Sequence, residues 1–289
     1  HRIPSPTLRT VEGEGERRPL VMGVLNVTPD SFFDGGRYAS SEAAIARGRA
    51  MFEEGADMVD VGGESSRPGA SVVSVDEELR RVIPVIEALA PRGPVSVDTV
   101  KAPVARAAVA VGASLVNDVS GALFSVAAEC GAGWVALHRK GSAADMQRDP
   151  RYDDVVAEVH EHLLDLARTA RSAGVDEVWV DPGIGFGKTV EHNLALLAHV
   201  GELVDEAEAI DARVLVGTSN KWFLGVIASG SDGPLPPEQR SEGSIASSTW
   251  AMSQGVHMVR VHDVVSGVRA ARLVGPVDRS HGALEGAAG

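Results

Sequence analysis

The stretch VWVDPGIGFGK, Val178–Lys188, decides how the fold is read. A short apolar run ends on Asp181 and passes at once into a glycine-rich turn, which reads as a buried strand delivering a carboxylate to a ligand. Continuous apolar strands suit a parallel sheet covered on both faces. Gly183, Gly185 and Gly187 let the backbone approach a flat ligand where a Cβ would collide. The alternative is that Asp181 merely caps the helix beginning near Thr189, as aspartates at such junctions do. What favours the first reading is that similar junctions recur along the whole chain.

Outward from that stretch, short β-type runs alternate with amphipathic ones, the pattern of βα units around a parallel sheet. Eight strands are expected: Leu20–Leu25, Met58–Val61, Val95–Val97, Ser114–Val116, Trp134–Leu137, Val178–Val180, Val214–Val216 and Met258–Val261. The helical stretches between and after them are Ser41–Glu54, Val75–Leu89, Ala102–Ala110, Ser125–Glu129, Asp153–Ala173, Val190–Ile210, Ser241–Gln254 and Val264–Leu273. Eight units in about 250 residues predict an α/β chain of the (β/α)8 TIM barrel class. A doubly wound open sheet would want GxGxxG after its first strand, and Val24–Asp30 offers none. The expected organisation is one domain over residues 1–289, with its core at about 20–275. Residues 1–18 are polar and expected to lie loosely on the surface, and the tail after Gly275 carries no element pattern. Ser229–Gln239 is rich in Gly, Pro and Ser and reads as a mobile loop.

Composition narrows the function classes. With 289 residues, 44% of them hydrophobic and 23% charged, the chain can bury a large core. A formal net charge of −13 argues against nucleic acid or an anionic membrane as partner, since both demand a basic face. No apolar run is long enough to span a bilayer, and HRIPSPTLRT lacks the apolar core of a signal peptide. A start at His1 without Met reads as a trimmed or tag-derived terminus. A single cysteine, Cys130, excludes an internal disulfide, and the reading is a cytoplasmic protein in which Cys130 serves as a small apolar side chain.

Barrels of this kind carry their chemistry at the C-terminal ends of the strands. There the chain places Asn26, Thr28, Asp30 and Ser31, then Glu64, Ser65, Ser66 and Arg67, then Asp98, then Asn117 and Asp118. His138 and Arg139 follow the fifth strand, Asp181 the sixth, and Ser219, Asn220 and Lys221 the seventh, while the eighth carries Arg260 and ends at His262. Such a set can hydrogen-bond a planar heterocycle through Asp and Asn while cations neutralise a leaving phosphate.

These residues also carry a resemblance. NVTPDSFFDGG (Asn26–Gly36), DVGGESSRPGA (Asp60–Ala70), SVDT (Ser96–Thr99), NDVSG (Asn117–Gly121), DPGIGFGK (Asp181–Lys188), GTSNK (Gly217–Lys221) and VRVHDV (Val259–Val264) resemble, in order, the motifs of the dihydropteroate synthase family. That family joins 6-hydroxymethyl-7,8-dihydropterin pyrophosphate to p-aminobenzoate and releases pyrophosphate, on the route to folate. The resemblance implies a pterin ring held deep in the barrel mouth against Asp98, Asn117, Asp181 and Lys221. Asn26, Arg260 and His262 would hold the pyrophosphate with Mg²⁺, Asn26 as the metal ligand, and the helix start after His262 would add free N–H groups. Asp98 would stabilise positive charge left on the pterin methylene, so that Asp98, Lys221, Arg260 and His262 form the catalytic set. Two loops, Thr28–Tyr38 and Glu64–Ser71, would close over the pyrophosphate and form the p-aminobenzoate pocket with Ser219 and Lys221, Phe32, Phe33, Ser66, Arg67 and Pro68 lying on the loops around it. The plainer alternative makes them ordinary surface loops. The resemblance also implies a homodimer through the outer helices.

Departures from the family pattern bear on activity. Asn220 stands where the family has Arg in a Ser-Arg-Lys run, and a short neutral amide cannot stack on a pterin as a guanidinium does. The lost contact would be worth about tenfold in affinity. Ser66 for Thr, Leu137 for Met and Ala143 for Pro are milder exchanges. Three classes therefore stay open: an active transferase, a catalytically impaired second copy that retains pterin, p-aminobenzoate or sulfonamide-type binding, and a pterin-dependent methyltransferase domain. The last has no need of the TPDSF loop, the Ser-x-Lys run or the Arg-x-His pair. His160, His162, His192 and His199 read as surface or packing histidines, and Trp134, Trp179 and Trp250 as filling between strand and helix. DPGIGFGK lacks the full spacing of a phosphate loop.

Overall fold

Alternation at every second residue sorts each short strand into an outer face and a barrel face. The computed structural model describes residues 18–28, 36–64, 72–141, 146, 148–230 and 233–276, without the side chains of 36–40. Its strands are β1 (Leu20–Asn26), β2 (Met58–Gly62), β3 (Val95–Asp98), β4 (Leu115–Asp118), β5 (Gly133–Leu137), β6 (Val178–Asp181), β7 (Arg213–Val216) and β8 (Met258–Val261). They pair in chain order, and the sheet closes through parallel pairing of β1 with β8, Leu20 opposite Met258. The (β/α)8 expectation is met.

The helices are α1 (Gly36–Glu53), α2 (Val75–Leu89), α3 (Ala102–Ala110), α4 (Phe124–Cys130), α5 (Val155–Ser172), α6 (Val190–Ala198), α7 (Val200–Glu208), α8 (Trp222–Ser229), α9 (Ser241–Ser253) and α10 (Val264–Val274). Two differ from expectation. The stretch Val190–Ile210 is not one helix: His199, at φ −103° and ψ 12°, leaves helical geometry and joins α6 to α7. This re-aims a second apolar stripe, Val200, Leu203, Val204 and Ala207, onto the barrel. α8 was not anticipated because WFLGVIAS is apolar almost all round and carries no amphipathic period. The expected loop Ser229–Gln239 accordingly begins as the end of α8 and contains a short 3-10 turn at Pro237–Gln239.

Outward residues such as Val59, Val61, Val97, Val116, Val180 and Val214 pack with the helices into one large core. Inside the barrel a separate plug forms from Met22, Met58, Leu115, Val135, Trp179, Leu215 and Met258. Trp179 therefore fills the barrel interior and not the strand–helix layer, because its position in β6 shares the phase of Asp181. Trp134 does lie under a helix, edge-on to Phe124, whereas Trp250 is half exposed and donates its indole N–H to the Leu197 carbonyl. The histidine expectations hold: His160 meets Glu206, His192 completes a capping box with Thr189, and His162 packs edge-on against His138. Arg18 is not loose, since its guanidinium grips the Asp57 carboxylate with two hydrogen bonds, at 2.8 and 3.0 Å.

Candidate active site

Above the apolar plug the barrel face turns polar. Asn26, Asp60, Asp98, Asn117, Asp181 and Arg260 follow the inward phase of their strands, so all six are strand residues and not loop residues. Register sets Gly62 beside both Asp98 and Asn26, and Asn117 beside Asp98. A Cβ on Gly62 would lie 3.4 Å from the Asp98 Cβ and 3.8 Å from Asn26 Oδ1, so glycine keeps that corner open.

Arg260 bridges two carboxylates. Its Nε donates to Asp60 Oδ2 at 2.6 Å and its Nη2 to Asp98 Oδ2 at 2.9 Å. The same Asp60 oxygen accepts from Asn117 Nδ2 at 2.9 Å. A carboxylate only accepts, so this contact turns the Asn117 amide to present its oxygen elsewhere. That oxygen, Asp60 Oδ1 and Ser96 Oγ are buried without a hydrogen-bond partner among the described residues, a grouping suited to a polar ligand. Burial pushes Asp98 up to about 7, with Arg260 opposing. Arg260 itself is held above its ordinary value: burial works against the charge, but Asp60 and Asp98 outweigh it.

Across the mouth, Asp181 is buried and accepts the Gly183 N–H on Oδ1 at 2.7 Å. Burial raises its pKa, against the Gly183 bond and Lys221. It does not cap a helix, since Thr189 caps α6. Lys221 ends the turn before α8 and lays its Nζ 3.8 Å from the centroid of the Phe186 ring, a cation–π contact. Burial pushes Lys221 down to about 8, with Asp181 opposing.

Ser219 and His262 sit together to one side, Oγ and Nδ1 being 3.0 Å apart while the His262 backbone N–H also donates to that hydroxyl. Both line a cavity of about 230 Å³ with Asn220, Ser244, Asp263 and Ser266. The start of α10 is less free than expected: Asp263 accepts from the Ser266 N–H and hydroxyl, at 3.0 and 2.6 Å, because a carboxylate at that position caps its own helix. Ser66, Arg67, Asp30, Phe32, Phe33 and Pro68 lie outside the described residues.

Neighbours in sequence part company here. Asp118, next to Asn117, faces outward and serves structure, accepting from Trp134 Nε1 and from the Leu123 N–H. Glu64 is tied to Lys101 and to the Val73 N–H, with Lys101 also on buried Glu78. Sequence reading gave no role to Asp60, Phe186 or Lys188. An acid inside the apolar run MVDVG was the available signal for Asp60, and the inward phase it shares with Met58 places it in the barrel.

The arrangement gathers acceptors, an amide and cations at the polar mouth of the barrel, a set able to hydrogen-bond a flat ring that carries donors on its edge. A family model of pterin binding enzymes matches residues 22–262. Dihydropteroate synthase of Mycobacterium leprae is 47% identical over 265 residues, covering 88% of this chain and 92% of that one. The solved structure of Xanthomonas albilineans dihydropteroate synthase with 4-aminobenzoic acid superimposes with a TM-score of 0.79 at 45% identity, covering 89% of this chain and 92% of the other. That enzyme in complex with 7,8-dihydropteroate gives a TM-score of 0.77 at 42% identity, covering 90% and 93%. The chain belongs to the dihydropteroate synthase family of pterin binding enzymes.

Proposed function

We propose that this chain is a working dihydropteroate synthase, one pterin-binding domain that condenses 6-hydroxymethyl-7,8-dihydropterin pyrophosphate with p-aminobenzoate. The observation that carries this reading is the convergence of Asp98, Asn117, Asp181, Lys221 and Arg260 on one barrel mouth, in a chain so close to named synthases. Asp181 and Asn117 accept from the donor edge of the pterin, and Lys221 donates to its carbonyl. The bond from the methylene carbon to the pyrophosphate oxygen breaks, and Asp98 stabilises the charge left on that carbon. Arg260 and His262 take up the departing anion. The neutral arylamine nitrogen then bonds to the methylene and releases its proton, so no strong base is required. Ser66 and Arg67 join the p-aminobenzoate side in this reading.

Asn26 offers one neutral amide oxygen beside the space that Gly62 leaves. That fits Mg²⁺ only as an ion whose remaining ligands are pyrophosphate oxygens and water. When bound, it neutralises the leaving group. The reading further includes a homodimer and a cytoplasmic location. Exposed Leu194, Ile227 and Trp250, on neighbouring α6, α8 and α9, support a dimer face there. Among the described residues no helix is long and apolar enough to cross a membrane.

Calorimetry with the dihydropterin pyrophosphate and Mg²⁺, followed by a pyrophosphate-release assay, tests the proposal. Binding plus release that depends on p-aminobenzoate is expected. A second reading, a binding-only copy, rests on neutral Asn220 beside Lys221, and tight binding without release would select it. Absence of both rejects either reading.

A further inference from the structure

Lys188 ends the glycine-rich turn and is 1% exposed. Its Nζ lies 3.0 Å from His138 Nδ1, 3.0 Å from the Gly183 carbonyl and 3.1 Å from the Phe186 carbonyl. Burial pushes His138 down to about 3, which leaves its ring neutral and able to accept on Nδ1. With the His138 carbonyl at 3.4 Å, four acceptors from two loops thus converge on Lys188, whose ammonium form has three hydrogens to share among them, although burial pushes its pKa down to about 7, with Asp181 opposing.

The turn it ties is under tight constraint. Gly183, Gly185 and Gly187 all have positive φ, and a Cβ on Gly183 would stand 1.8 Å from the His138 carbonyl oxygen. The Gly183 and Phe186 carbonyls that Lys188 holds belong to residues in contact with Asp181 and Lys221. Gly183 gives its N–H to Asp181, and Phe186 carries the ring under Lys221. Between them, a Cβ on Gly185 would lie 3.0 Å from Lys221 Cδ.

We propose that Lys188 is a positioning residue for the pterin site: by pinning the carbonyls of Gly183 and Phe186 to the end of β5, it sets the orientation of Asp181 and of Lys221 together. It acts through those residues and not on the ligand. The proposal rests on the dihydropteroate synthase reading for its ligand, and on geometry alone for its effect on the turn.

The test uses the full chain with Lys188→Met, which keeps length and removes the donors, and Lys188→Gln should the first variant fail to fold. The expected result is a rise of about tenfold in KM for the dihydropterin pyrophosphate, with kcat and the KM for p-aminobenzoate within about threefold, because ground-state positioning is what has been lost. Combined with Asp181→Asn, the losses should be markedly less than multiplicative, since both act through the same contact. Without ligand, amide exchange at Gly183 and Gly185 should quicken about tenfold or more. Multiplicative losses, or equal rises in both KM values that track a lowered melting temperature, would make Lys188 a purely structural residue. Unchanged exchange and unchanged KM overturn the proposal outright. A wild-type chain that binds no pterin pyrophosphate rejects the functional reading instead, and the exchange measurement still decides the role of Lys188 in the turn.

Discussion

Arg240 donates from Nη1 to the backbone carbonyl of Asn220 at 2.8 Å, while the Asn220 N–H donates to Ser244 Oγ at 2.9 Å. Both contacts hold Asn220 at φ 59°, in the left-handed region where asparagine is among the few tolerated side chains. Asn220 is thus suited to its backbone conformation. Asn220→Arg should tighten the dihydropterin pyrophosphate about tenfold through a regained cation–π contact. It should also lower stability by about 1 kcal/mol, the strain of a longer side chain in that conformation. Calorimetry and thermal melts read the two effects separately, and an unchanged affinity would show that no stacking position exists there.

Asn117 and Asp118 should behave as opposites. Asn117→Ala removes the buried amide oxygen at the barrel mouth and should abolish most pterin affinity with little effect on folding cooperativity. Asp118→Ala strands the Trp134 indole N–H and the Leu123 N–H and should cost about 1–3 kcal/mol of stability while ligand affinity holds. Urea melts and pterin titrations on both variants check the pair; a reversed pattern would mean the strand phase is wrong.

Asp60→Asn tests the bridge beneath the site. The amide oxygen can still accept from Arg260 Nε and Asn117 Nδ2, but Arg260 loses a countercharge and both bonds lose the carboxylate's charge. A fall of about tenfold or more in pterin affinity is expected, from a charge-assisted hydrogen bond made neutral. Binding of p-aminobenzoate to the pyrophosphate-loaded protein should change less. Equal losses for both ligands would place Asp60 in general support of the mouth.

The pH dependence follows from two buried groups. The productive state pairs ionised Asp98 with protonated Lys221. Because burial pushes Asp98 up to about 7, activity falls as pH drops through that value and the carboxylate gains a proton. Because burial pushes Lys221 down to about 8, activity falls again as pH rises through it and the amine loses one. A narrow bell in kcat/KM for the pterin substrate is expected. Lys221→Arg should erase the alkaline limb and keep the acid one. A flat profile between about pH 5 and 9 would exclude these two groups as the ones that matter.

Gly183→Ala should be severe. Its Cβ would meet the His138 carbonyl oxygen at 1.8 Å, in a backbone conformation at φ 64° that already disfavours alanine. Loss of pterin binding together with a clear drop in melting temperature is expected, whereas Gly131→Ala, also at positive φ but with open space around its Cβ, should cost only about 1 kcal/mol. Comparable effects at both positions would argue that conformation, and not the close approach, governs the turn.

Much was legible in the linear chain because a barrel strand is short, apolar and followed by its functional residue. The eight strands and the closure they imply could be read from the apolar runs, and the ends of those runs named Asp98, Asn117, Asp181, Lys221 and Arg260 as polar residues of one barrel mouth. α8 escaped because it has no polar face, and the break at His199 because both its flanks are helical by pattern. Side-chain direction was also out of reach near strand ends: that Asn117 points in and Asp118 out depends on the phase of β4, which one residue of error in the strand boundary reverses. Asp60 needed the closed sheet, since only the barrel brings β8 across to β2 and lets Arg260 reach an acid 200 positions away. Lys188 needed it too. The sequence by itself determined which residues carry charge, donors and glycine freedom, because these are local chemistry. Which of them meet was decided by the tertiary structure, because burial makes each unpaired polar group costly and leaves only the pairings that the register and the barrel geometry bring within hydrogen-bonding distance.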